Sequence, residues 1–270
     1  MTPKVTAAHL ALGHTLAEAS GEIIRRYFRT NIAIDDKSDA SPVTIADRSA
    51  EKVMRHIIEA SFPEHGIIGE EFGSQNPDAD YVWVLDPIDG TKSFISGVPL
   101  FGTLIALTWR GQPILGVIDQ PISGERWIGA TGHRTELNGK PVGTRPCSKI
   151  ENATLYATSP DMFNRRNAPG FNRLRKQVKL SRFGADCYAY ALLASGFIDL
   201  VVEADLKPYD FCALLPIIEG AGGAMTDWDG KKLTTKSDGR VIAAGDKKLL
   251  GKTRKLLTAY LWSLPFDVEG

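Results

Sequence analysis

The stretch Val82-Trp83-Val84-Leu85-Asp86-Pro87-Ile88-Asp89-Gly90-Thr91-Lys92 constrains the chain more than any other. Its unbroken apolar run, closed by Asp86, predicts a buried strand ending in a carboxylate. Pro87 has no N–H and a fixed φ, so the strand is expected to stop there. Asp89 follows, then Gly90-Thr91, which permit a tight turn and a close approach of backbone N–H groups to a ligand. A helix opening near Lys92 would aim those groups at an anion, with the helix dipole favouring it. Carboxylates at Asp86 and Asp89, next to such a turn, suit a divalent metal bound together with a phosphate. Hard cations such as Mg²⁺ use one or two carboxylates plus substrate oxygens.

The remainder of the chain limits the alternatives. Its 270 residues suffice for one large domain or two smaller ones with a substantial core. Lys plus Arg and Asp plus Glu both number 32, and zero net charge argues against nucleic acid as a partner, since such domains carry a basic excess. Cys147, Cys187 and Cys212 are widely spaced and odd in number. They form neither a zinc pattern nor a disulfide framework, so they are expected to fill core space in a reducing compartment. The five histidines are scattered without metal-ligand spacing. No signal-peptide core and no membrane-length apolar run is present, so a cytoplasmic protein without a membrane partner is expected.

Apolar spacing predicts helices over 6–28 and 44–62. Asp47 falls in the first turns of the second, where a dipole or capping role also suits it. The charged segment 35–42 reads as a mobile surface loop. A short strand over 66–69 runs into Glu70-Glu71, a pair that equally fits a solvated turn. Strands over 103–109, 113–119 and 125–129, with turns at Arg110-Gly111 and Asn138-Gly139, predict an antiparallel meander covered by the two N-terminal helices. Near residue 146 the pattern changes to alternating strands (155–158, 200–203, 241–244) and helices (171–178, 188–194, 211–219, 253–262). That alternation predicts a second sheet with helices on its faces. The expectation is an α/β (α+β) chain in two halves, 1–145 and 146–270, with the site between them. Gly220-Ala221-Gly222-Gly223 lacks the Lys-Ser/Thr of a P-loop and reads as a helix end plus a turn.

Taken together, Gly69-Glu70-Glu71, the run from Trp83 to Thr91, Pro208-Tyr209-Asp210 and Glu219-Gly220-Ala221-Gly222-Gly223 closely resemble the inositol monophosphatase family. The match keeps its order from about Asp47 to Asp227. Asp-Pro-Ile-Asp-Gly-Thr is highly specific to that family, whereas the Gly-Gly stretch alone is not. The resemblance implies a layered αβαβα fold, commonly dimeric, and a Mg²⁺-dependent, lithium-inhibited phosphomonoesterase. Matched by position, it implies that Glu70, Asp86, Asp89 and Asp210 ligate metal, with the Ile88 carbonyl and Thr91 hydroxyl near it. Asp47 would pair with Thr91 to activate water, Glu70 would also position that water, and Lys37 would lie near a metal site. The Gly90 and Thr91 amides would hold phosphate oxygens, with Asp89 and Asp210 bordering the substrate. About two or three Mg²⁺ ions would balance these acids and support in-line attack of water with no covalent intermediate. The first half would carry most ligands, the second the last ligand and the specificity residues.

Gly90-Thr91-Lys92-Ser93-Phe94 departs from the common family form Gly-Thr-x-Asn-Phe, and its Lys is shared with bisphosphate-nucleotidase members. Segments 90–95, 101–107, 118–121, 125–129, 186–196 and 206–210 are similar to the histidinol-phosphate phosphatase branch. That substrate carries an amine and an imidazole, so its pocket should offer carboxylates. Glu203 lies seven residues before Asp210, where the family places a substrate-contacting Glu, and Asp186 replaces a small residue of the inositol-specific members. A helix N-cap for Asp186 and a solvated strand end for Glu203 are the plainer alternatives. The resemblance also leaves open an inositol monophosphatase, a bisphosphate nucleotidase or a broad sugar-phosphate phosphatase. A non-catalytic partner of the transcription machinery is a further alternative, against which the complete acid set argues. A homodimer is implied by the resemblance alone.

Overall fold

The computed structural model describes residues 4–31, 33–36 and 42–259. The expectations for Lys37 and the rest of the loop over 37–41, and for the end of a helix reaching residue 262, lie outside them. Helix α1 (Ala7–Tyr27) starts where Thr6 and His9 close a reciprocal cap, Thr6 Oγ1 accepting from the His9 N–H and His9 Nδ1 from the Thr6 N–H. Strands β1 (Ile34–Asp36) and β2 (Pro42–Thr44) pair antiparallel, so the flanks of the expected loop are a small ribbon. Helix α2 (Ile45–Ser61) is capped in the same way by Thr44 and Asp47.

Next come β3 (Gly66–Gly69), β4 (Gly73–Gln75) and β5 (Tyr81–Asp89). Helix α3 (Thr91–Ile95) follows, then β6 (Gly102–Trp109), β7 (Gln112–Gln120), β8 (Glu125–Ala130), β9 (Glu136–Leu137) and β10 (Lys140–Pro141). These eight strands form one sheet in the order β10-β9-β8-β7-β6-β5-β3-β4. From β5 to β10 it is the expected meander. The meander ends at β3, which pairs parallel with β5 because the β3–β4 hairpin turns outward and the chain returns on the inner side. Strand β5 also outruns its expected end. Its register against β6 slips between Asp86 and Asp89, a bulge that places the missing Pro87 donor where no ladder bond is needed. The Pro87 carbonyl still accepts from Thr103 Oγ1 at 2.8 Å.

The second half holds β11 (Thr154–Ala157), α4 (Ala168–Arg175), β12 (Leu180–Phe183), α5 (Asp186–Ala194) and β13 (Leu200–Glu203). It continues through α6 (Pro208–Phe211), α7 (Leu214–Gly220), β14 (Ala224–Asp227), β15 (Val241–Ala244) and α8 (Lys247–Thr258). Its mixed sheet runs β12-β11-β13-β15-β14, the edge strands β12 and β14 being additions to the sequence reading. The single helix expected over 211–219 is split, because Pro216 lacks an N–H and its ring crowds the carbonyl of Cys212. Helix α8 begins at Lys247, earlier than its apolar spacing suggested, where Asp246 caps it.

Five layers result. Helices α1 and α2 cover one face of the large sheet, α5 to α7 fill the space between the sheets, and α4 and α8 cover the far face of the small sheet. Trp83, Leu85, Ile105 and Leu115 pack under α1 and α2, while Trp127, Tyr190, Phe211 and Ile217 fill the middle layer. Among the described residues, no helix is long and apolar enough to cross a membrane.

Candidate active site

The C-terminal end of β5, the turn after it and the start of α6 meet at one point. There Asp86, Asp89 and Asp210 each offer a carboxylate oxygen within 4.8 Å of the others. Asp86 is held by its strand and accepts from the Ile88 N–H at 3.0 Å. Asp89 accepts from the Cys187 N–H at 2.6 Å, and Asp210 from the Lys207 N–H at 2.7 Å as the third residue of α6. Glu70 leaves β3 beside β5, its N–H bonded to the Leu85 carbonyl at 3.1 Å, and its carboxyl group hydrogen-bonds Asp86.

Burial, then repulsion from Glu70, Asp89 and Asp210, pushes the Asp86 carboxyl well above its ordinary range. Asp89 is driven the same way by burial, then by Asp186 and Asp210. Burial above all, aided by Glu70 and Glu203, lifts Asp210 to about 7 against the pull of its Lys207 hydrogen bond. Among the described residues no Lys, Arg or His pairs with these three acids. Buried carboxylates without a cation are costly, and an all-oxygen donor set suits a hard divalent ion. Asp86, Asp89 and Asp210, with Glu70 beside them, could therefore hold Mg²⁺.

Gly90 turns the chain from β5 into α3 at φ 90°, in the left-handed region, and caps the helix without a side chain. The N–H groups of the first turn have no partners inside the helix. A Cβ on Gly90 would come within 3.0 Å of the Asp186 carboxyl carbon, so the site depends on the missing side chain as well as on the turn. Asp186 itself adopts φ 44°. It is the first residue of α5 and makes no capping bond; its Oδ2 accepts from Ser93 Oγ at 2.9 Å. The N-cap alternative for Asp186 thus does not hold.

Across a cavity of about 340 Å³ lies Glu203, at the end of β13. It is 3% exposed, which removes the solvated-strand-end alternative. Thr158 N–H donates to its Oε1 at 2.7 Å and Tyr190 Oη–H to its Oε2 at 2.8 Å. Glu70, Asp89, Gly90, Thr91, Asp186 and Glu203 border this cavity together with Asp210, so residues of both halves share one space.

One expected contact is not made. Asp47 Oδ2 accepts from the Thr44 N–H and hydroxyl, its buried Oδ1 has no hydrogen-bond partner among the described residues, and Thr91 Oγ1 donates to the Ile88 carbonyl at 3.1 Å. The capping geometry of α2 takes one oxygen of Asp47, and the Thr91 hydroxyl turns back to its own loop. Three further residues escaped the sequence reading. Ser93 holds Asp186, and Tyr190 holds Glu203. Glu51, wholly buried on α2, accepts from the N–H groups of Glu71 and Phe72 at 2.7 and 3.1 Å and so fixes the turn that carries Glu70. A buried Glu on the apolar side of an amphipathic helix was the available signal for the last.

Comparison with known proteins agrees with this architecture. The model of the inositol monophosphatase family matches residues 7–263. The bifunctional phosphatase IMPL2 of Arabidopsis thaliana, described as chloroplastic, is 56% identical over 248 residues, covering 88% of this chain and 72% of that one. A histidinol-phosphatase of Chlorobaculum parvum is 37% identical over 236 residues, covering 87% and 91%. The structure of an inositol monophosphatase from Zymomonas mobilis superposes with a TM-score of 0.87 at 47% identity, covering 94% of this chain and 99% of that one. With its layered fold, its clustered acids and a family match across nearly the whole length, the chain belongs to the inositol monophosphatase family of phosphatases.

Proposed function

We propose that the protein is a Mg²⁺-dependent phosphomonoesterase whose substrate is L-histidinol phosphate, releasing L-histidinol and phosphate. One observation carries the choice of substrate: the cavity beside the Asp86–Asp89–Asp210 cluster has acidic walls of its own. Besides Glu70, Asp89 and Asp210 it is bordered by Asp186, Glu203 and Asp205, the last paired with Lys207 Nζ at 3.2 Å, and among the described lining residues Lys92 is the cation. A neutral polyol needs no such wall, whereas an alcohol bearing an amine and an imidazole is matched by it, each charge-assisted bond contributing about 1.5–3 kcal/mol. The similarity to a histidinol-phosphatase supports the same reading.

Glu70, Asp86, Asp89 and Asp210, with the Ile88 carbonyl and Thr91 hydroxyl, would hold about two or three Mg²⁺ ions, which when bound supply an activated water and neutralise charge on the ester. The Gly90 and Thr91 N–H groups donate to phosphate oxygens and to the charge that grows on them. Glu70 accepts a hydrogen bond from the attacking water and orients it in line, and Asp47, with its free oxygen, supports the proton balance near Thr91. Asp186 and Glu203 accept from the cationic end of the leaving alcohol. In this reading residues 1–145 supply most ligands, and 146–270 supply Asp210 and the specificity residues. The functional unit is a cytoplasmic homodimer, with neither nucleic acid nor membrane as a partner.

Phosphate release with Mg²⁺ from histidinol phosphate, inositol 1-phosphate and adenosine bisphosphate tests the proposal. Histidinol phosphate should be turned over with the highest kcat/KM, and Asp186→Ala should reduce it far more than a generic ester. Equal losses on all esters would remove the substrate assignment while leaving the phosphatase intact.

A further inference from the structure

Helix α5 presents three groups to the cavity: the Asp186 carboxylate, the Cys187 N–H on Asp89 and, one turn later, Tyr190. Tyr190 is 1% exposed, among the buried side chains of Cys187, Ala191, Leu193 and Phe211. Packing of this kind would accept a phenylalanine. Its hydroxyl has one partner among the described residues, Glu203 Oε2 at 2.8 Å. The Thr158 N–H occupies Oε1 at 2.7 Å. The Thr158 hydroxyl also hydrogen-bonds this carboxylate. Each carboxylate oxygen can accept along two directions, so these donors fix the plane of Glu203 and leave part of its accepting capacity for a ligand. The backbone donor, Thr158, directly follows β11 and cannot be tuned by sequence. The Tyr190 hydroxyl is the donor that α5 contributes to the clamp.

We propose that Tyr190 is a positioning residue that orients Glu203 to receive the cationic end of the substrate, so that α5 sets both acidic contacts: Asp186 directly, and Glu203 through the Tyr190 hydroxyl. This rests on the reading of the substrate as a cationic alcohol phosphate. Without the hydroxyl, Glu203 gains a rotational freedom that a bound amine or imidazole must remove, and one lone pair turns away from the cavity.

Steady-state kinetics with Mg²⁺ on L-histidinol phosphate and glycerol 2-phosphate tests it in wild type, Tyr190→Phe, Glu203→Gln and the double variant. Tyr190→Phe should raise KM for histidinol phosphate about tenfold, the size of one charge-assisted hydrogen bond, with little change in its kcat. Selectivity for the cationic ester over the neutral one should fall by the same factor. In the Glu203→Gln background the same replacement should add nothing, because the group it positions has lost its charge. Unchanged selectivity in Tyr190→Phe, or fully additive losses in the double variant, would overturn the proposal alone. A wild type without preference for histidinol phosphate would overturn the substrate reading, and this proposal with it. Tyr190→Met, apolar and without a hydroxyl, should match Tyr190→Phe and decides the matter if the latter does not fold.

Discussion

The Cys187 N–H donates to Asp89 Oδ2 at 2.6 Å, joining positions 98 apart in sequence. Asp89 ends β5 of the large sheet, and Cys187 lies in the first turn of α5, between the sheets. A carboxylate of the acidic cluster is therefore held by a backbone donor whose place depends on the packing of α5. Cluster geometry and the seating of the second half are one structural fact.

Replacing Asp89 by Asn separates function from stability. The amide oxygen can still accept from the Cys187 N–H, while the repulsion that raises Asp86 is relieved. Mg²⁺-dependent turnover of every ester should drop by more than about 100-fold, the upper range for losing even an outer partner of a metal ligand. In EDTA the variant should melt about 2–4 °C higher than wild type, as about 1 kcal/mol predicts for a chain of this size. Thermal melts with and without Mg²⁺ check both halves. Retained activity would take Asp89 out of the site.

Glu51 acts at a distance from the cavity. Its carboxylate takes the N–H groups of Glu71 and Phe72 and the Arg55 Nε at 2.8 Å, with no exposure to solvent. Glu51→Ala leaves two amides and a largely buried guanidinium without that partner, and Gly69 loses the oxygen against which it packs. The expected loss is about 3–5 kcal/mol in denaturant unfolding, typical of breaking a buried pair. Weaker Mg²⁺ activation should accompany it, since Glu70 rides on the same turn. A stability loss with normal Mg²⁺ activation would show that Glu70 is placed by β3 alone.

What could be read in advance followed from local chemistry. Apolar residues before Asp86, a Gly after Asp89 and the cap residues Thr6 and Thr44 act over a few positions, so β5, α1, α2 and the Gly90 turn were legible. Asp86, Asp89 and Asp210 meet as their resemblance to the family implied. The parallel pairing of β3 with β5 was hidden because both directions present the same apolar run. The Asp47 and Thr91 hydroxyl contacts were also hidden, since each group had a nearer acceptor or donor in its own turn. Tyr190 read as core filler, because its hydroxyl matters only through Glu203 on another strand. Pro216 was visible, and its effect on the carbonyl of Cys212 could have divided the helix in advance.

Gly90→Ala should be disproportionately costly. Its backbone lies at φ 90° and an added Cβ would approach the Asp186 carboxyl group to 3.0 Å. The conformational part should amount to about 1–2 kcal/mol, and turnover should fall because the Gly90 and Thr91 amides, proposed to hold phosphate, move with the turn. Combining it with Asp186→Ala removes the carboxyl part of the crowding and leaves the contact to the residue 186 Cβ at 3.1 Å and the backbone cost. Equilibrium unfolding should thus show partial rescue, and full rescue would mean that the turn itself is unstrained.

A histidine pair far from the cavity should govern part of the acid sensitivity. His65 stacks on Phe62 and Tyr81, and His9 packs tilted against the same two rings, with 5.7 Å between the two imidazole centroids. The Trp83 Nε1–H donates to His65 Nδ1 at 3.1 Å, so this ring is held as an acceptor. Burial lowers the pKa of both histidines below the ordinary 6.5. The unfolded chain therefore takes up protons first as pH falls, and stability that is complete above about 6.5 is lost on acidification through and below that value. His65→Gln keeps an acceptor for Trp83 and cannot become cationic. Its melting temperature should decline less between pH 7.5 and 5.5 than that of wild type, both measured in EDTA so that metal release contributes nothing. Parallel pH profiles for the two proteins would remove His65 as a source of the acid sensitivity.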